Sequence, residues 1–135
     1  MPTPVLPNAR VLAREALVAQ TSLSVLLPSD QVATSTPPTP TYPLIVLAIV
    51  DDSELAPDRA FVRVQVNIWG KSGGIKDTKE VFDIAAVVRS IARDLRGTWS
   101  SGKISNSAPG QILDAPDPVT GRARAIVDLL LETNP

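Results

Sequence analysis

Two short stretches carry residues of the kind that cradle phosphate. The first, Val64-Gln-Val-Asn-Ile-Trp-Gly-Lys-Ser-Gly-Gly74, closes a strand-like run with Gly70-Lys71-Ser72, the last part of a phosphate-binding loop. Such a loop needs another glycine five positions earlier, so that backbone N–H groups curl around the phosphates while the lysine reaches the outer ones. That position is Gln65, inside the apolar alternation of the strand itself, and a loop there would destroy the strand. The second stretch, Gly97-Thr-Trp-Ser-Ser-Gly102-Lys103-Ile104, has the glycine spacing. Ile104, however, stands where a magnesium-holding hydroxyl is required, and a helical pattern precedes it where the motif needs a strand. Neither stretch is read as a nucleotide site. Residues 70–74 read instead as a loop joining a strand to a helix.

Other chemistry fares no better. Ser100-Ser-Gly-Lys103 has the serine–lysine spacing of penicillin-recognising enzymes, without either partner motif and without a helix start beneath the serine. Asp51-Asp-Ser-Glu54, followed by Asp58, gathers carboxylates, but not at the spacing of a helix–loop–helix calcium site; a solvated hairpin turn is the simpler reading. The chain has no histidine and no cysteine. Thiol catalysis, disulfides and thiolate zinc sites are thereby excluded, and the commonest general base is missing. Every Asp and Glu is expected in a turn or on a solvent face. The expectation is a protein that is not an enzyme and takes no cofactor or metal.

The bulk properties agree with a domain that works by contact. Its 135 residues suffice for a single domain with a core, and 13 basic side chains nearly balance 14 acidic ones, giving no broad electrostatic case for nucleic acid. The longest apolar run, Pro43-Leu-Ile-Val-Leu-Ala-Ile-Val50, is far too short to span a membrane, and no signal-peptide pattern opens the chain. A soluble intracellular protein is expected, with no membrane partner. With two Trp, two Phe and one Tyr, its core must be built from Val, Leu, Ile and Ala.

Periodicity places the elements. Residues 1–7, with three prolines, read as an extended arm. Asn8 caps a helix running to about Gln20, with Leu12, Ala16 and Ala19 on one side, Val11 and Val18 beside them, and Arg10, Arg14 and Glu15 in solvent. The segment 28–43 holds five of the 13 prolines and reads as a long loop with a short edge strand near residues 31–34. Residues 44–50 suit a buried strand. Residues 61–69 alternate cleanly: Val62, Val64, Val66 and Ile68 face a helix, and Arg63, Gln65, Asn67 and Trp69 face water or another protein. Asp77-Thr-Lys-Glu80 has the form of a capping box; behind it Val81, Ala85, Val88, Ala92 and Leu95 repeat at helical spacing, with Ile84 and Ile91 alongside, up to a stop at Gly97. Residues 97–110 read as a Gly/Ser-rich loop, 111–114 as a strand, and Asp117-Pro-Val-Thr-Gly121 as a turn before a last strand at 122–132. The fold class is a small α+β domain: a mostly antiparallel sheet of four to five strands, two helices packed on one face, and the long Pro-rich loop.

In this order the elements resemble the tail terminator (tail completion) proteins of long-tailed bacteriophages. The likeness is carried by Tyr42-Pro43-Leu-Ile-Val, by Val64-Gln-Val-Asn-Ile-Trp69, by the helix containing Ile84-Ala-Ala-Val-Val-Arg-Ser-Ile91, and by the closing Asp117-Pro-Val-Thr-Gly121 turn with its strand. It extends over about residues 8–132, and the 28–43 loop is richer in proline than the family pattern. The resemblance implies one tail-terminator-like domain over 1–135. Its work would be structural: a homo-hexameric ring that caps the tail tube, ends polymerisation, and offers a joining surface to head-side connector proteins, with DNA passing non-specifically through the ring. The protein would sit in the virion at the head-proximal end of the tail, after assembly in the host cytoplasm. Candidate subunit or channel contacts are Arg63, Gln65, Asn67, Trp69, Arg122 and Arg124. Lys71 and Lys76 lie in a candidate partner-contact loop at 70–77, and loops 28–43 and 97–110 are further candidates for ordering on tube or connector. Another head–tail connector or tail adaptor, and a small ligand-binding regulatory domain, are the alternative readings.

Overall fold

The computed structural model describes residues 5–135. Of the expected N-terminal arm, residues 1–4 lie outside the described residues. Leu6 packs against the core, and Pro7 abuts Gly102, so the end of the arm is held to the domain.

The first helix, α1 (Ala9–Val18), starts as expected: the Asn8 side chain accepts hydrogen bonds from the amides of Arg10 and Val11. Its buried stripe is Ala9, Leu12, Ala13, Ala16 and Leu17; Ala19 lies past its end and Val11 is exposed, which corrects the face expected from sequence. The helix stops two residues short of Gln20, and a single-turn helix, α2 (Thr21–Ser24), follows, turning Leu23 and Leu27 into the core. A 3₁₀ turn (Ser29–Gln31) leads into β1 (Val32–Ala33), the short edge strand, followed by the rest of the Pro-rich loop.

That loop is fastened. Arg14 donates to the carbonyls of Val32 (2.7 Å) and Ser29 (2.9 Å), Arg10 donates to Thr34 O, and the buried Gln31 amide donates to Pro43 O at 2.7 Å. The side chains expected in solvent therefore satisfy carbonyls that a proline-rich segment cannot pair in a ladder. Glu15 does the same elsewhere, accepting from the amides of Ser100 and Ser101 and from the Ser101 hydroxyl.

Two long strands follow, β2 (Leu44–Ala56) and β3 (Arg59–Trp69), joined by a tight hairpin at Pro57-Asp58. The acidic run 51–54 is part of β2 and not a turn. Bulges at Ile49/Asp51 and Glu54/Ala56 let the strand continue while the carboxylates blunt its outer edge. Next comes α3 (Ile75–Ile91), with a 3₁₀ extension (Ala92–Leu95). It begins at Gly74, three residues before the expected Asp77 cap. The Ser72 hydroxyl accepts from Gly74 N and donates to the Asp77 carboxylate (2.6 Å), so Asp77 serves the first turn from inside it, where negative charge meets the positive end of the helix dipole. Val81, Ile84, Ala85, Val88, Ile91, Ala92 and Leu95 are all buried, as their spacing requires.

The segment 97–110, expected as loop, is instead a hairpin of β4 (Gly97–Trp99) and β5 (Gly102–Asp114), and the strand expected at 111–114 is only its end. Gly97 and Gly102 adopt positive φ at the corners. The Ser- and Gly-rich run becomes strand because β6 (Arg124–Asn134) offers it an edge to pair with, and packing overrides its weak propensity. The sheet has six strands in the order β1-β2-β3-β6-β5-β4, antiparallel except for β1 beside β2. Its strand count exceeds the expected four to five because β4, read as loop from sequence, adds a second edge opposite the expected short strand β1. The helices cover one side, over Val62, Val64, Val66 and Ile68 of β3 and Ala125, Val127, Leu129 and Leu131 of β6.

Glu15 links α1 to the β4–β5 turn. Its carboxyl is held below the ordinary carboxylate value by the Ser101 hydroxyl bond foremost, and also by the Ser100 and Ser101 amides, against partial desolvation. A depressed folded-state pKa means a contribution present above the unfolded value and lost as pH falls through the folded one. Glu15→Gln is therefore expected to flatten the acid limb of a melting-temperature profile as pH falls below the ordinary glutamate range, and to leave the profile above that range unchanged.

Candidate functional site

The side of the sheet away from the helices is where the expected contact residues collect. Alternation along β3 puts Arg63, Gln65, Asn67 and Trp69 there, and pairing with β6 sets them beside Leu130, Asp128, Ile126 and Arg124 in turn. The face is not uniformly polar. Leu44 and Ile126 are buried on it, and Asn67, also buried, donates to Val46 O and Gln65 Oε1, both at 3.3 Å. Arg63 lies 3.8 Å from Asp128, and Arg59 lies 3.5 Å from Glu132, at the hairpin end. Both pairs are partly exposed and contribute little stability.

At the far end of the same strands two arginine–aromatic stacks form. The Arg124 guanidinium lies 4.6 Å from the Trp69 ring centroid and donates to Ala115 O; that of Arg122 lies 4.2 Å from the Tyr42 ring and donates to the Tyr42 hydroxyl and to Lys71 O. Stacking neutralises part of each desolvation cost while leaving N–H groups at the rim. Between them opens a cleft of about 210 Å³ lined by Thr36, Tyr42, Leu44, Trp69, Asp117 and Arg122. The Val119 amide foremost, with Thr120 and the charge of Arg124, holds the Asp117 carboxyl below its ordinary value. The closing strand starts later than expected, at Arg124. Residues 122 and 123 are taken up by the neighbouring loop, where Gly70 N donates to Ala123 O and Ala123 N to Ser72 O.

The expected partner-contact loop divides. Lys71 is exposed beside Arg122, but Lys76 belongs to the first turn of α3. Lys76 lines a separate cleft of about 300 Å³ on the helix side, with Leu26, Lys79, Glu80, Asp83 and Ile84. Sequence reasoning missed Tyr42 and Leu44 as members of the open face, and it left Ile126 and Leu130, although on the mixed face of the last strand, out of the candidate contacts. The last two lie in the alternation of β6, whereas Tyr42 and Leu44 arrive there only through the strand register. Among the described residues no three carboxylates converge to hold a metal ion, and no helix is long and apolar enough to cross a membrane.

The fold is an α+β domain with one side of a mixed six-stranded sheet clad by helices and the other side open. It is shared with a solved chain from the "Virion of native gene transfer agent (GTA) particle": the TM-score is 0.69 at 15% sequence identity, over 93% of this chain and 94% of that one. No protein-family model matches the sequence, and no curated protein does. At that identity the likeness is one of fold.

Proposed function

We propose that the chain is a structural virion protein that caps the tail tube as a ring, ends tail polymerisation and offers the head–tail joining surface. The observation that carries this reading is the end-to-end fold likeness to a chain of a gene transfer agent virion. It is supported by the resemblance of the sequence to tail terminators. The open sheet face supports it too, since a ring needs a heterologous surface on each subunit. We read the protein as working by contact with copies of itself, the tail tube and head-side connector proteins, at the head-proximal end of the tail, and not as an enzyme. Trp69 and Arg124, stacked at the end of the open face, are the proposed centre of one contact.

Native mass spectrometry and light scattering across concentration, with and without purified tail tubes, test the reading. A six-subunit species, alone or only with tubes, is the expected result. A monomer or dimer that ignores tubes but binds the portal side moves the assignment to a head–tail adaptor. Trp69→Ala is expected to weaken assembly by about 2 kcal/mol or more, about thirtyfold, with the monomer still folded. Unaltered assembly removes Trp69 from the interface.

A further inference from the structure

The near balance of charge over the chain hides a segregation. Between residues 84 and 113 stand four cations, Arg89, Arg93, Arg96 and Lys103, and one carboxylate, Asp94, a net of +3; the other 105 residues hold nine cations and 13 carboxylates, a net of −4. Arg89, Arg93 and Arg96 are exposed, at the end of α3 and along its 3₁₀ extension. Arg89 and Arg93 are one helical turn apart, and Arg93 and Arg96 have the three-residue spacing that eclipses in a 3₁₀ turn, so the three stand in one column. The carboxylates of the same helix are elsewhere. Asp77 is bound to the Ser72 hydroxyl at the far end, Glu80 and Asp83 line the cleft beside Leu26, and Asp94 is turned about 100–120° from its neighbour Arg93. Glu15, which α1 sends to the β4–β5 turn, is held there by Ser100 and Ser101. Lys103 alternates with the buried Ile104, points to the other side of the sheet, and is not part of the column. None of the three arginines is in an ion pair among the described residues. The partial negative charge at this helix end, about half an elementary charge, matches only a fraction of them.

We propose that this arginine column is a binding surface for the phosphate backbone of duplex DNA. Guanidinium forks match phosphate oxygens and are weakly hydrated, so arginine gives up little on leaving water for such a partner. Three observations choose the duplex. From Arg89 to Arg96 the column runs about 10 Å along the helix axis, a length over which a duplex presents about six negative charges; a linear polyanion fits it and a single phosphate does not. A protein partner needs apolar anchors inside the charged rim, and among the described residues no large apolar side chain between 76 and 112 is exposed. A single strand needs exposed rings on which its bases stack. Trp99, the one aromatic residue between 84 and 113, is half-buried, and its indole N–H donates to Leu95 O at 3.0 Å. Contacts of this kind position a duplex without reading its sequence. The inference stands apart from the ring reading, since it needs neither self-association nor a tail tube.

Fluorescence anisotropy with labelled duplexes of two unrelated sequences, from about 20 mM to about 200 mM salt, tests it on the full chain. Both duplexes should bind alike, with the logarithm of the association constant falling against that of salt at a slope of about −3, one phosphate for each arginine. Arg89→Gln/Arg93→Gln/Arg96→Gln should bind at least about tenfold more weakly at the lowest salt, with a slope near zero, and the matching Lys triple variant should keep the slope. Circular dichroism and melting curves check that the variants fold. Should the Gln triple variant not fold, Arg93→Gln alone is expected to reduce the slope by about one. Lys103→Gln, on the other side of the sheet, should bind as the wild type does. No binding at the lowest salt overturns the proposal, as does binding that the Gln variants leave unchanged, or a loss as large in Lys103→Gln. Tighter binding of a single strand of the same length, or polyglutamate competing as well as the duplex, also overturns it, in favour of a single-strand surface or an acidic protein partner.

Discussion

Leu129→Ala is expected to cost about 3 kcal/mol and to lower the melting temperature by about 10 °C. Leu129 is fully buried at the middle of β6, opposite Val64 of β3, under the helical layer. With only five aromatic side chains, the core is assembled from medium-sized aliphatic groups. Removing one from the central strand leaves a cavity bounded by backbone on the sheet side, which cannot collapse to fill it. Chemical denaturation with an unchanged slope and a lower midpoint checks this. A loss under about 1 kcal/mol would mean that the helices close onto the sheet more readily than this packing implies. The open-face neighbour Leu130 provides the contrast: it is only half-buried, and Leu130→Ala should cost distinctly less in the isolated chain.

The second large effect falls on the cleft. A Cβ built on Gly73 would lie 2.2 Å from the carbonyl oxygen of Gly121, a backbone atom that cannot swing away. Gly73→Ala must push the 70–74 and 117–121 loops apart, at an expected cost of about 1–3 kcal/mol. The same displacement strains the Ala123–Ser72 and Arg122–Lys71 hydrogen bonds that join the loops. The cleft wall should therefore loosen with the fold, and assembly should weaken beyond what the stability loss alone accounts for. Gly74→Ala is the control. Its Cβ meets nothing nearer than the Ser72 hydroxyl at 3.4 Å, and the expected cost stays below about 1 kcal/mol. Equal melting temperatures for the two variants would show that the loops are not in close contact.

This pair of loops also answers the question raised by Gly70-Lys71-Ser72. The glycines that resemble part of a phosphate loop serve a close backbone crossing: a Cβ on Gly70 would meet Val81 and Ala123, and one on Gly73 would meet Gly121. Lys71 stands at the rim of the cleft formed by that crossing. The candidate residues on β3 were legible because period-two alternation needs only local sequence, so the positions of Arg63, Gln65, Asn67 and Trp69 opposite the valine face follow from the pleat. That Arg124 would stack on Trp69, or that Arg122 would reach Tyr42 across 80 positions of sequence, follows only from strand register and loop placement. In the sequence Lys76 falls in the loop because Asp77 has the form of the helix cap. Ser72 and Gly74 moved that start forward by a turn.

By itself the sequence determined the α1 cap at Asn8, the buried stripe of α3 and the two faces of β3. Each is a short-range periodicity or a capping contact within a few residues. Tertiary structure alone decided that the acidic run 51–54 and the Gly/Ser-rich 97–110 would be strand. Their propensities are weak, and the hydrogen bonds that make them strand come from β3 and β6, distant in the chain. It also decided that Arg10, Arg14 and Glu15, read as solvated, would fasten the Pro-rich loop and the β4–β5 turn. The carbonyls and amides they satisfy are brought within reach only when α1 settles on the sheet.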